Sequence, residues 1–218
     1  MPHLAGHLHW VHPPRQSRSQ ETLERLLDAA ESVLTEKGFV EASVAEIAAR
    51  AKSSVGAFYS RFQDKHTLLR CLHERFVEDA IATADAALDP ALWEEQNIGE
   101  ILGEVIPFLV RIYEERRSLI SAFIVQCTRD PSYVESGGRL QRHLSHRLRQ
   151  LLLARRHELT HPDPELAVDF GLRLVMHMLD ISAMYAPKSL TEYELSGPEL
   201  ARELCRAYLG YLGVERTL

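Results

Sequence analysis

Cysteine is scarce in this 218-residue chain: Cys71, Cys127 and Cys205 stand far apart, with no Cys-x-x-Cys pair. Such spacing suggests neither a disulfide framework nor a zinc site, and thiols of this kind read first as small buried hydrophobes. Long apolar runs are also missing. None reaches the roughly 18 residues needed to span a bilayer, and the N-terminus lacks a signal peptide's uninterrupted apolar core. Together these absences predict a cytoplasmic protein. No Gly-rich phosphate loop or metal-ligand cluster stands at motif spacing, so neither cofactor nor metal is expected. Strand-like alternation does not persist anywhere, and Gly and Pro gather between helical patterns. The chain reads all-α.

Hydrophobic residues make up 45% and charged residues 26%, as in ordinary globular proteins, and the length suits one or two domains with a real core. The net charge is −6. Against that background one island holds no acid. From Arg50 to Gln63 there are Arg50, Lys52 and Arg61 and no Asp or Glu. Phosphate repels carboxylates and attracts Lys and Arg, so an acid-free island in an acidic chain suits a DNA-facing surface.

The island lies within Ser43 to Lys65, SVAEIAARAKSSVGAFYSRFQDK. Ser43 and Glu46 have the spacing of a capping box, and Val44, Ile47, Ala48 and Ala51 mark one face of a short helix. Lys52-Ser53-Ser54 interrupts that pattern, and Ser54 is suited to cap a second short helix. There Val55, Phe58 and Phe62 share one side, while Ala57, Tyr59, Ser60 and Arg61 cover much of the rest. Two short helices, a tight turn and a small, polar or basic outer face describe a DNA-reading helix-turn-helix. The spacing also fits a plain helical hairpin with solvated polar residues.

A helix from about Gln20 to Lys37 precedes this pair, with Leu23, Leu26, Leu27, Ala30, Val33 and Leu34 inward and Gly38 as its stop. After it, Asp64 can cap a long helix reaching about Ala87, with Lys65 at its N-terminus as a phosphate contact. Further helices are predicted from about Gly99, with Pro107 as a kink, and from Leu119 to Arg129. Asp130-Pro131 and Gly137-Gly138 flank a break, and a basic helix carrying His143 and Arg147 follows. The segment from Glu165 to about Tyr185 is apolar nearly all round, which predicts burial on most sides. Its polar exceptions Asp169, Arg173, His177 and Asp180 form one stripe, and Gly171 permits a close helix crossing. In the last helix Leu200, Leu204, Tyr208 and Leu212 form a ridge with apolar surface to offer a second subunit. Residues 1–18 read as a flexible extension, 19–79 as the DNA-binding domain and 80–218 as a helical ligand-binding and dimerisation domain. In the extension, His3, His7, His9 and His12 raise a metal-binding tract, and Arg15 and Arg18 a basic arm for DNA.

Gly38 and Phe39, Ile47-Ala48, Gly56, Tyr59, Phe62, Lys65, Leu68 and Leu69 together resemble the DNA-binding domain of the TetR/AcrR family of bacterial transcriptional regulators, over roughly residues 19 to 72. Lys52-Ser53 departs from the family's usual turn, and Phe58 stands where Leu is usual. The resemblance implies a homodimer whose last two helices build the interface, and a long fourth helix that carries ligand-driven movement to the reading heads. It thus implies a DNA-binding regulator, a repressor released from a pseudo-palindromic operator by a small molecule. The residues expected at DNA are Ser43, Lys52, Ser54, Val55, Ala57, Tyr59, Ser60, Arg61 and Lys65. Those expected at the ligand are Phe108, Phe123, Cys127, His143 and His177. Two alternatives stay open: a DNA-binding dimer without a small-molecule inducer, and an enzyme using His143, His177, Asp180 and Cys127 in the helical bundle.

Overall fold

A computed structural model describes residues 8–10, 21–185 and 192–214. Among the described residues the regular structure is all helical. The elements are α1 (Glu21–Glu41), α2 (Val44–Arg50), α3 (Val55–Tyr59), α4 (Lys65–Ala87), α5 (Ile98–Glu115), α6 (Arg117–Cys127), α7 (Pro131–Leu153), α8 (Pro164–Met184) and α9 (Gly197–Leu212). Short 3-10 turns at Pro90–Trp93 and Arg156–Glu158 join some of them. No helix among the described residues is long and apolar enough to cross a membrane.

Local chemistry sets the boundaries. Gly38 adopts φ 81°, a conformation open to glycine and costly for side chains with a Cβ, and it breaks α1 before a last turn that reaches Glu41. Asp64 caps α4 by accepting from the Thr67 N–H at 2.7 Å, and Asn97 and Glu100 cap each other at the start of α5. Of the expected break, the edge at Asp130-Pro131 is present, but the one at Gly137-Gly138 is not: α7 starts at Pro131 and runs through both glycines. Buried Tyr133 and Ser136 anchor its first turns, and such tertiary packing outweighs the weak helix propensity of glycine.

Two apolar cores form. Leu26, Leu27, Val33, Leu34, Ile47, Phe58, Phe62, Leu68, Leu69 and Leu72 build the head core, which Leu119, Phe123 and Tyr133 of α6 and α7 complete. The larger core gathers α5, α7, α8 and α9 around Trp93, Ile101, Leu102, Val168, Leu172 and Tyr208. Helix α4 serves both, giving Leu68, Leu69 and Leu72 to the head and Ala84 and Ala87 to the bundle. Buried Arg75 locks α4 to α1, reaching Asp28 at 2.6 Å, Glu31 at 2.8 Å and Glu24 at 3.4 Å.

The last helices differ from the sequence expectation. On α9, Leu204, Tyr208 and Leu212 are buried within the subunit. The apolar surface left open is on α8 instead, where Leu166, Phe170, Leu174, Met178 and Ile181 are each at least 40% exposed. A Cβ added at Gly171 would lie 1.9 Å from the Tyr208 ring, so this glycine permits the α8–α9 crossing.

Candidate nucleic-acid interface and ligand cavity

The reading pair is built by its caps. The Ser43 hydroxyl accepts from the Glu46 N–H at 3.2 Å and the Ser54 hydroxyl from the Ala57 N–H at 3.0 Å. The capping box is half formed, because the Glu46 carboxylate lies on Lys37 Nζ at 2.8 Å. Phe58 and Phe62 are buried beneath α3, with ring centroids 5.2 Å apart. That packing turns Val55 and Tyr59 outward, at 42% and 56% exposure. Ser43, Lys52, Ser54, Ser60 and Arg61 are exposed on the same pair, and Ala57 is half-buried. Apolar and aromatic side chains held in solvent beside cations are the equipment of a surface that meets base edges and phosphates.

Four cations of this region differ in what they can offer. Arg50 is held by Glu36 and by the Ser32 hydroxyl at 2.8 Å. Lys65 is turned inward. Its ammonium donates to the carbonyls of Phe39 at 2.6 Å and Ala42 at 2.8 Å and lies 4.4 Å from the Phe39 ring centroid. Partial burial pushes its pKa down. The expected phosphate contact at Lys65 is thus occupied by the α1–α2 connection. Lys52 and Arg61, by contrast, have no acidic partner among the described residues. Lys52 also holds the turn itself, in a left-handed conformation at φ 50°. Arg61 and Ser60 direct donors onto the Ala57 carbonyl, at 3.3 and 2.9 Å, and so close the short helix.

Behind the head lies a cavity of about 270 Å³. Its wall comes from α4 (His73, Phe76, Ala80), α5 (Phe108, Ile112, Tyr113), α6 (Phe123, Cys127), α7 (Leu140, Leu144) and α8 (Leu172, Asp180). Of the expected ligand residues, Phe108, Phe123 and Cys127 line it. His143 and His177 do not. His143 faces Asp85 at 2.9 Å on the outer side of α4 and α7, and exposed His177 bonds the Arg173 carbonyl of its own helix at 2.8 Å. Of the groups an enzyme would need, Cys127 and Asp180 share the wall while both histidines lie outside it, and burial raises the Cys127 pKa away from thiolate formation. Burial also holds His73 down to about 4, so its ring is neutral between Phe123 and Tyr133.

Sequence reasoning missed two pairs here. Tyr113 donates to Asp180 Oδ1 at 2.8 Å inside the wall, and burial raises both pKa values. Leu8 and Trp10, within the extension expected to be flexible, also line the cavity. Trp10 packs on Phe76 at 5.1 Å, Arg116 covers its ring at 4.4 Å, and Arg111 donates to the Leu8 carbonyl at 3.2 Å. The apolar pair Leu8-x-Trp10 among the histidines was the available signal. His3, His7, His12, Arg15 and Arg18 lie outside the described residues, among which no group of three metal-ligating side chains assembles.

A helix-turn-helix head and a cavity share one helical frame through α4. Residues 26–72 match the family model of bacterial regulatory proteins, tetR family, so the head is a tetR-family DNA-binding head. No curated protein matches the chain. Its fold is similar to that of several solved regulators. GusR of Salmonella enterica aligns with a TM-score of 0.65 at 18% identity, covering 92% of this chain and 100% of that one. FadR of Bacillus subtilis, solved in complex with stearoyl-CoA, gives 0.62 at 16%, covering 87% and 98%. A regulator of the TetR/AcrR family from Aquifex aeolicus gives 0.53 at 22%, covering 85% and 96%.

Proposed function

We propose that the chain is a homodimeric repressor, released from a pseudo-palindromic operator when a small molecule fills the cavity. The observation that carries this reading is α4. One continuous helix of 23 residues holds the reading pair through Leu68, Leu69 and Leu72 and lines the cavity through His73, Phe76 and Ala80. An occupant that moves the wall moves the head.

In this reading, Val55, Ala57, Ser60 and Arg61 meet base edges or thymine methyls. Ser43, Lys52, Ser54 and Tyr59 contact phosphates and fix the register. The open apolar strip of α8 pairs with its copy in the partner subunit and sets two heads on successive major grooves. DNA and ligand then oppose each other reciprocally, each weakening the other by the same factor. An apolar cavity lined in part by α4 favours this account over a dimer without an inducer.

Selection of random duplexes by the purified protein, read at two salt concentrations, tests the DNA half. A palindrome with a steep salt slope is the expected result. Weak, sequence-blind binding would refute it. Small molecules are then screened by release of the selected duplex.

A further inference from the structure

The polar inventory of the cavity is one-sided. Among the described residues its lining includes one acid, Asp180, and no Lys or Arg. The two arginines at its rim lie outside: Arg111 stacks on Phe108 at 5.2 Å, and Arg116 stacks on Trp10 and pairs with Glu31 at 3.5 Å. The neutral His73 ring supplies no cation either. Nearly all the remaining wall is hydrocarbon or aromatic.

Asp180 reaches this wall from α8, and among the described residues Tyr113 is its one hydrogen-bond partner. That bond engages Oδ1, which leaves Oδ2 able to accept from something inside the cavity. The carboxyl is partly withdrawn from water, so a buried acceptor here gains most from a charged donor. A ligand ending in a carboxylate finds no cation and meets a like charge. A pure hydrocarbon makes no bond to Oδ2.

Resting on the reading of this cavity as the effector site, we propose that the effector is an apolar amine. Its hydrocarbon body fills the space between Phe76, Phe108 and Phe123, and its protonated nitrogen donates to Asp180. Tyr113 holds the carboxylate in place from the other side. No covalent step is involved.

Three probes of equal chain length separate the possibilities: octylamine, octan-1-ol and octanoate. Each is titrated into the full-length protein by calorimetry, with tryptophan fluorescence followed in parallel because Trp10 lines the cavity. Octylamine is expected to bind at least about tenfold tighter than octan-1-ol, the equivalent of one charge-assisted bond, with octanoate weakest. In Asp180→Asn the amine should lose that advantage while octan-1-ol binding is kept. Octanoate or octan-1-ol binding as well as the amine to the unaltered protein would overturn the amine assignment and leave the cavity as effector site. Binding of none of the three would overturn both. The ranking on the unaltered chain decides the question even if the variant fails to fold.

Discussion

Lys65 Nζ lies 2.8 Å from the carbonyl oxygen of Ala42, so the first residue of α4 closes the connection that leads into the reading pair. A lysine in this place serves the shape of the head. Lys65→Met should destabilise the protein by about 1.5–3 kcal/mol, the range for hydrogen bonds to a charged group, as read by urea denaturation. Operator affinity should fall through disorder of the head, with the salt slope unchanged. A slope lower by about one would mean that a phosphate contact had been lost instead.

Lys52 predicts the opposite separation. Its left-handed backbone costs a residue with a Cβ about 1–2 kcal/mol, while glycine accepts it freely. Lys52→Gly should leave stability equal or raise it by about 1 kcal/mol, and should lower the salt slope of operator binding by about one. Thermal unfolding and DNA titration in the same buffer read both.

Arg61→Ala should weaken operator binding by about 1–3 kcal/mol if the guanidinium meets a guanine edge, and relax the preference at one position of each half-site. Unchanged affinity and unchanged sequence preference would remove Arg61 from the reading set. Competition with singly substituted duplexes makes the comparison.

Asp180 carries a pH signature. Its folded pKa is raised by burial, so the unfolded carboxyl loses its proton first as pH rises. Stability contributed by the protonated form is full below about pH 4, the ordinary aspartate value, and is lost as pH climbs through the folded pKa. Asp180→Asn should therefore match the unaltered protein in acid and exceed it in melting temperature at pH 7. A melting temperature for the variant that stays below the unaltered protein's throughout would show that the Tyr113 bond outweighs the burial.

Gly171→Ala should be severely destabilising, by more than about 2 kcal/mol, because the Tyr208 ring it meets is itself buried and cannot retreat without overpacking the α8–α9 contact. Equilibrium denaturation is the direct reading.

How far the sequence spoke depended on the range of the physics. Helix starts were legible where a cap residue sits three positions before its target, as at Ser43, Ser54 and Asp64, because capping is local. The exposed face of α3 was legible in part: Phe58 and Phe62 are buried and Tyr59 faces out as expected, but Val55, placed with the two phenylalanines by its spacing, is exposed. The polar stripe of α8 was visible, but its division was not. Asp169 meets the Ser145 hydroxyl of α7, Asp180 meets Tyr113 of α5, and Arg173 and His177 stay in solvent. Periodicity places residues on a face and carries no word of which neighbour covers it. The inward bonds of Lys65 were hidden likewise, since its partners lie 23 and 26 positions away.

Trp10 and Leu8 have a consequence for how the chain assembles. Leu8 meets Arg111 across 103 residues of sequence, and the ring of Trp10 needs Phe76 and Arg116 already in place. Contacts of such separation close late, after the local helices and the core they stack on. Leu8 and Trp10 leave the ribosome ahead of every helix described here, and they can seat only when α5 and α6 have formed their site.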